Sequence, residues 1–119
     1  VFFYELGALA RVVEDHASRE GPKFVGFLLG FLAEGDRGAV GYVHLVGVHP
    51  EYRRKGVARA LYTEFTRAAQ ASSCRRLKAI TTVGNEGSLR FHQALGWTAT
   101  EEEHYAGPGR RRVVFTKDL

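Results

Sequence analysis

The sequence predicts an α/β domain in which a mixed sheet with flanking helices is built around a central parallel β-α-β crossover. Three observations point there. An apolar, strand-like run over residues 39–48 stops at Pro50, which has no N–H to give a ladder, and Val57, Leu61 and Phe65 then recur at helical spacing. RRLKAITTV, residues 75–83, reads as a strand again, and strand, helix, strand in that order form a right-handed crossover between parallel strands. Turn signals at EGDRG, residues 34–38, and at GPG, residues 107–109, join the further strands on either side.

Taken in order, residues 1–15 carry two patterns at once. Leu6, Leu9, Ala10 and Val13 fit a helix face, Ala8, Ala10 and Val12 alternate as in a strand, and a strand is expected near the end of the stretch. Residues 14–23 are polar and contain Gly21-Pro22, a turn signal, before FVGFLLGFLA, residues 24–33, which is long enough for a buried strand. The next strand, AVGYVHLVGV, would set Tyr42, His44, Val46 and Val48 on one face and Val43 and Leu45 on the other, with Gly47 marking a bulge or a close backbone approach. From Val57 to about Ser72 a helix should turn Val57, Leu61, Phe65 and Ala68 inward and Arg59, Thr63, Arg67 and Gln70 outward. After the strand at 75–83 come a loop at 84–87, a short helix over 88–95, Gly96 at a left-handed cap position, and strands over 97–105 and 111–119.

The 119 residues, 45% hydrophobic and 12% aromatic, suffice for one domain with its own core. No apolar run is long enough to span a bilayer and no signal-peptide pattern opens the chain, so a cytoplasmic protein without membrane contact is expected. Cys74 is the sole cysteine, which excludes an intramolecular disulfide and a cysteine-rich metal site; no metal is expected. A chain that starts at Val1 and lacks methionine reads as part of something longer. The net charge of +4 suits a polyanionic partner, but it is spread over residues 53–55, 75–78 and 110–112 and does not choose between a nucleotide-like ligand and nucleic acid.

Residues 46–61, VGVHPEYRRKGVARAL, concentrate the chemistry. A helix that begins inside a basic loop has four N–H groups without intrahelical partners and partial positive charge at the same end, which suits phosphate. Gly56 permits close backbone approach or positive φ, Ala58 adds no bulk, and Arg53, Arg54 and Lys55 surround the spot. A solvated basic turn explains the same residues equally well. A nucleoside-triphosphate P-loop does not, because Lys55 precedes Gly56 and Val57 stands where a hydroxyl is needed.

Two stretches together resemble the GNAT superfamily of acetyl-CoA-dependent N-acetyltransferases. Arg53, Gly56 and Ala58 match that family's Arg/Gln-x-x-Gly-x-Gly/Ala loop, and Asn85, Ser88, Phe91, Gly96 and Trp97 match its second, aromatic-rich helix with a closing Gly-aromatic pair. The likeness covers roughly residues 24–119. It implies a mostly antiparallel sheet of the acyl-CoA N-acyltransferase type and direct attack of a primary amine on the thioester in a ternary complex. It further implies that backbone N–H groups of Arg54, Lys55, Gly56, Val57, Ala58 and Arg59 hold the pyrophosphate, that the strand edge at Val46 and Val48 binds the pantetheine arm, and that Asn85 and Ser88 meet the cofactor. The N–H of Val48 would also polarise the thioester carbonyl.

His92 stands where many members carry a tyrosine that protonates the departing thiolate. Histidine can act as such an acid, and packing against the helix or a backbone carbonyl is the equal alternative. His44, on the expected face of Val46 and Val48, is a candidate base for the amine. His49 should point the other way, Glu101 to Glu103 read as a solvated run, and Trp97, Phe65 and Phe91 read as core. Cys74, between a helix end and two arginines, would have a lowered pKa but lies far from the motifs. Family members normally begin with a strand and one or two helices before the stretch that matches residues 1–15; these are expected to be missing here, which would leave an exposed sheet edge, an acceptor pocket open on one side and scope for a homodimer.

The resulting expectation is an N-acetyltransferase acting on a small-molecule or peptide amine. Two other classes stay open. A degenerate module would hold acyl-CoA or a protein without turnover; a basic nucleic-acid-binding protein would show steep salt dependence and no acetyl-CoA binding, and lacks any helix-turn-helix or zinc signature.

Overall fold

The computed structural model describes residues 2–5, 10–17, 19–35 and 38–119. Among these, one sheet is formed by β1 (Phe2–Glu5), β2 (Ala10–Asp15), β3 (Lys23–Gly35), β4 (Gly38–Val48), β5 (Arg76–Thr82), β6 (Thr98–Glu102) and β7 (Arg112–Asp118). The helices are α1 (Val57–Ala71) and α2 (Glu86–Ala94), and a short 3-10 turn, Pro50–Tyr52, lies between β4 and α1. The order is β1-β2-β3-β4-β5-β7-β6, with β4 and β5 parallel and the other neighbours antiparallel. This is the mixed, mostly antiparallel sheet that was expected, with α1 as its crossover. No helix is long and apolar enough to cross a membrane among the described residues.

The strand expected near the end of residues 1–15 is β2, and its pairing with β1 puts a second strand in the same stretch. Leu6, Ala8 and Leu9, which made that stretch ambiguous, lie outside the described residues, as do residues 36–37 of the expected connection. The apolar run after Gly21-Pro22 is β3, which pairs with β4 from Gly35↔Gly38 to Gly26↔Val48.

Both helices cover the same face of the sheet. Helix α1 crosses β2, β3 and β4 and buries Val57, Leu61, Tyr62, Phe65 and Ala69, so the inward stripe is wider than the sequence periodicity alone indicates, with Ala68 at its margin. Leu28, Leu61, Phe65, Leu77 and Phe115 are wholly buried, each worth about 2 kcal/mol in area removed from water. The ring of His92, from α2, stacks on Phe115 of β7 with centroids 4.0 Å apart, and Tyr62 of α1 meets Phe91, His92 and Trp97 edge-on. Trp97, Phe65 and Phe91 are thus core residues, as expected. On the opposite face Phe31 stacks on Tyr42 at 5.1 Å, and Leu29, Leu45 and Ile80 are exposed.

Strand β4 departs from the expected alternation. Leu29 pairs with Leu45 but Gly30 pairs with Val43, so His44 is an extra, bulged residue. Before the bulge Gly41 and Val43 face α1, whereas Tyr42 faces away with Phe31. After it the parity is reversed. Val46 and Val48, paired with the core-side Leu28 and Gly26, face the helices, so they do not share a face with Tyr42 and His44. Gly47, expected to mark a bulge or a close approach, serves the second purpose: a Cβ there would lie 2.7 Å from the Phe27 ring.

Candidate active site

The β4–β5 ladder is short, running from Val40↔Arg76 to Val43↔Ala79. Beyond it each strand continues, β4 to Val48 and β5 to Thr82, but among the described residues each is paired only on its far side, to β3 and β7 respectively. The two strands part at His44, where the bulge bends β4. The N–H of His49 donates to Val25 O at 2.6 Å, on the β3 side. Peptide groups alternate along an extended strand, so the N–H and C=O groups of Val48 and Val46 point the other way, into the split. An extended ligand with amide groups can join β4 there as an added strand.

The split leads to the loop at residues 53–59. Gly56 has φ 79° and Arg54, a non-glycine residue, has φ 61°, so the chain coils tightly ahead of α1. Gly56 was expected to permit this; the second left-handed residue had no signal in the sequence. The first bond closing α1 runs from Ala60 N to Gly56 O at 3.0 Å, no side chain caps the helix, and its first turn holds no acidic residue. The N–H groups of Val57, Ala58 and Arg59 are therefore available, in a turn geometry that concentrates positive potential. A Cβ at Gly56 would meet nothing within 4 Å, which leaves the backbone open to a ligand. Arg53, Arg54, Lys55 and Arg59 are exposed around it, and the neighbouring carboxylate of Glu51 is held by Lys23 at 2.6 Å. The split and the loop together fit a ligand that joins an amide-bearing arm to a diphosphate.

On the β5 side, Asn85 is the N-cap of α2. Its Oδ1 accepts from Ser88 N at 3.1 Å and its Nδ2 donates to Thr81 Oγ1 at 3.1 Å, so α2 starts at Glu86, two residues before the expected position. Asparagine is a preferred N-cap, and this structural use was a readable signal. Ser88 lies one turn from His92, its Oγ 3.4 Å from Nδ1.

His92 itself is 5% exposed. Its Nδ1 lies 2.8 Å from the carbonyl oxygen of Ser88, which can only accept, so Nδ1 carries the proton and Nε2 accepts from the Tyr62 hydroxyl at 2.8 Å. Burial lowers its pKa, and burial raises that of Tyr62. The packed alternative describes this residue. With both nitrogens engaged inside the protein, His92 is not set out as an acid facing the split. Tyr62, which fixes the ring, is thirty positions away in sequence and had not been singled out.

His44 is exposed on the face opposite the helices, with its ring edge-on to Phe31 at 6.0 Å. It lies at the point where β4 and β5 part. Cys74 is buried and its thiol pKa is raised by burial, with Glu34 adding to the effect, the reverse of the expected lowering. Glu101, read as solvated, pairs with Arg111. A hollow of about 540 Å³ lies at the other end of the strands and is lined by Tyr42, Arg75, Lys78, Glu102 and Thr116. It touches neither the split nor the loop, and Lys78 already lies against the Tyr42 and Tyr105 rings there.

Residues 5–97 match the model of the acetyltransferase (GNAT) family. The chain belongs to that family. This GNAT chain is 28% identical over 95 residues to an acetyltransferase of Photorhabdus laumondii, a match covering 80% of the chain and 61% of that protein. It is likewise 28% identical over 89 residues to an N-acetyltransferase of Yersinia pestis, covering 75% and 61%. The chain therefore spans less than two thirds of the length of these relatives. Among solved structures, the NatC complex bound to Gag peptide and CoA is similar with TM-score 0.81 and 18% identity, over 93% of this chain and 71% of that one. Arabidopsis thaliana NAA60 in complex with acetyl-CoA follows with TM-score 0.76 and 17% identity, over 92% and 76%. At such identities the likeness establishes the GNAT fold.

Proposed function

We propose that the protein is an N-acetyltransferase that moves the acetyl group of acetyl-CoA to a primary amine in a ternary complex. The observation that carries this reading is the parting of β4 from β5, which leaves the peptide groups of Val46 and Val48 without a ladder partner on the edge that leads to the α1 loop. The pantetheine arm lies along that edge as an added strand, and the pyrophosphate is held by N–H groups from Arg54 to Arg59 with Arg53 and Lys55 beside it. The amine nitrogen bonds to the acetyl carbon, the C–S bond breaks, and the N–H of Val48 stabilises the oxygen that gains negative charge. His44, at the apex of the split, takes the proton from the amine through water. The thiolate leaves toward the open end of the split, where solvent supplies its proton. A neighbour of the same fold bound to peptide and CoA supports a peptide amine as acceptor; a small-molecule amine and a cytoplasmic setting fit the same reading.

The test is calorimetric titration of acetyl-CoA at low and high salt, followed by a screen of peptide and small-molecule amines for free thiol release. Saturable binding that survives salt, with thiol release on one amine, supports the reading; no binding at either salt refutes it. The enclosed His92 favours one alternative, a module that holds acyl-CoA without turnover, and that alternative gives binding with no thiol release from any amine.

A further inference from the structure

The loop at residues 53–59 is conformationally expensive, since Arg54 takes positive φ without being glycine and two left-handed residues sit within three positions. Such a loop keeps one shape only if its surroundings impose it. Three ties hold the segment just before it, residues 49–52, to the end of β2 and the start of β3. His49 N donates to Val25 O at 2.6 Å, Lys23 Nζ meets Glu51 Oε2 at 2.6 Å, and the Tyr52 hydroxyl donates to Asp15 Oδ2 at 2.7 Å. The last differs in kind. The Lys23–Glu51 pair is solvent-exposed and worth little, whereas the Tyr52 ring is half-buried and packs against the core. Asp15 is held in turn by Ala17 N at 2.9 Å, so its carboxylate is aimed before Tyr52 arrives. Lys55 Nζ lies 5.4 Å from the centroid of the same ring, which links the anchor to a cation of the loop.

Resting on the functional reading above, we propose that Asp15 and Tyr52 are positioning residues that hold the 53–59 loop ready for the diphosphate of acetyl-CoA. Neither touches the ligand. The hydroxyl-to-carboxylate bond fixes the aromatic anchor, the anchor fixes the last residue before Arg53, and the loop N–H groups are thereby aimed before binding.

Two measurements on the full chain test this, with Tyr52→Phe and Asp15→Asn, which keep size and shape, and with the double variant. Calorimetric titration of acetyl-CoA should give about tenfold weaker Kd for Tyr52→Phe, which removes the hydroxyl, and a smaller loss for Asp15→Asn, whose amide keeps a neutral contact with that hydroxyl, with the double variant no weaker than Tyr52→Phe. With an accepted amine, kcat at saturating acetyl-CoA should stay at the parent value while KM for acetyl-CoA rises, a split that general destabilisation does not produce. In the free proteins, amide hydrogen exchange at residues 53–59 should accelerate in each variant. Unchanged Kd in both single variants overturns the proposal, as does unchanged exchange in the loop. Failure of the parent protein to bind acetyl-CoA overturns the functional reading, and with it the ligand that the anchor serves, while faster loop exchange in Tyr52→Phe would still establish the anchor itself.

Discussion

Replacing Gly56 by glutamate tests the loop with a perturbation whose components can be separated. A side chain at Gly56 enters open space, so the folding cost is the left-handed backbone alone, about 1 kcal/mol. A carboxylate at the start of α1 returns up to about 1 kcal/mol through the helix dipole, so the melting temperature should move by no more than about 4 °C. Binding is another matter. At about 5 Å and an effective dielectric constant of about 20, each unit charge of the diphosphate is repelled by about 3 kcal/mol, on the order of a hundredfold or more in Kd. Gly56→Ala carries the backbone cost without the charge and should weaken binding by less than about fivefold. Calorimetric titration of acetyl-CoA with both variants, next to their melting curves, separates the terms. An unaltered Kd for Gly56→Glu would show that the diphosphate does not lie at this loop.

Three further outcomes are expected. His44→Gln should lower kcat about 10- to 100-fold while acetyl-CoA affinity stays within about twofold, as general-base removal requires; an unchanged kcat removes His44. His92, neutral and buried, has a folded pKa below the unfolded value of about 6.5, so its contribution to stability is complete above that pH and is lost as pH falls through the folded pKa, at up to about 1.4 kcal/mol per pH unit. Urea midpoints from pH 8 to 5 should therefore fall more steeply for the parent than for His92→Phe; parallel curves contradict a buried neutral imidazole. Gly47→Val should destabilise by about 1–3 kcal/mol, because its Cβ would meet the Phe27 ring at 2.7 Å, and equal denaturation midpoints would refute that contact.

What the sequence made legible was local. Pro50 ending an apolar strand, helical spacing from Val57 and Gly56 at the junction each act within a few residues, and the structure keeps all three. The bulge at His44 was not legible, because it depends on Leu29 and Gly30 across the ladder, and nothing between Tyr42 and Val46 breaks the alternating pattern. One unread residue there exchanged the faces of everything after it. His92 was equally opaque: its role follows from Tyr62 on another helix and Phe115 on another strand. Asp15 and Tyr52, 37 positions apart, show the same limit. Asn85 was legible in a second sense that went unused, since an asparagine three residues before Ser88 is also a helix start.

The central claim is that the edge of β4 beyond His44 takes acetyl-CoA as an added strand. Amide hydrogen exchange at Val46 and Val48, with and without saturating acetyl-CoA, addresses it at the atoms concerned. The account predicts fast exchange at both amides in the free protein and marked slowing at one or both on binding. Binding that leaves both amides exchanging as before would place the ligand elsewhere and contradict the claim.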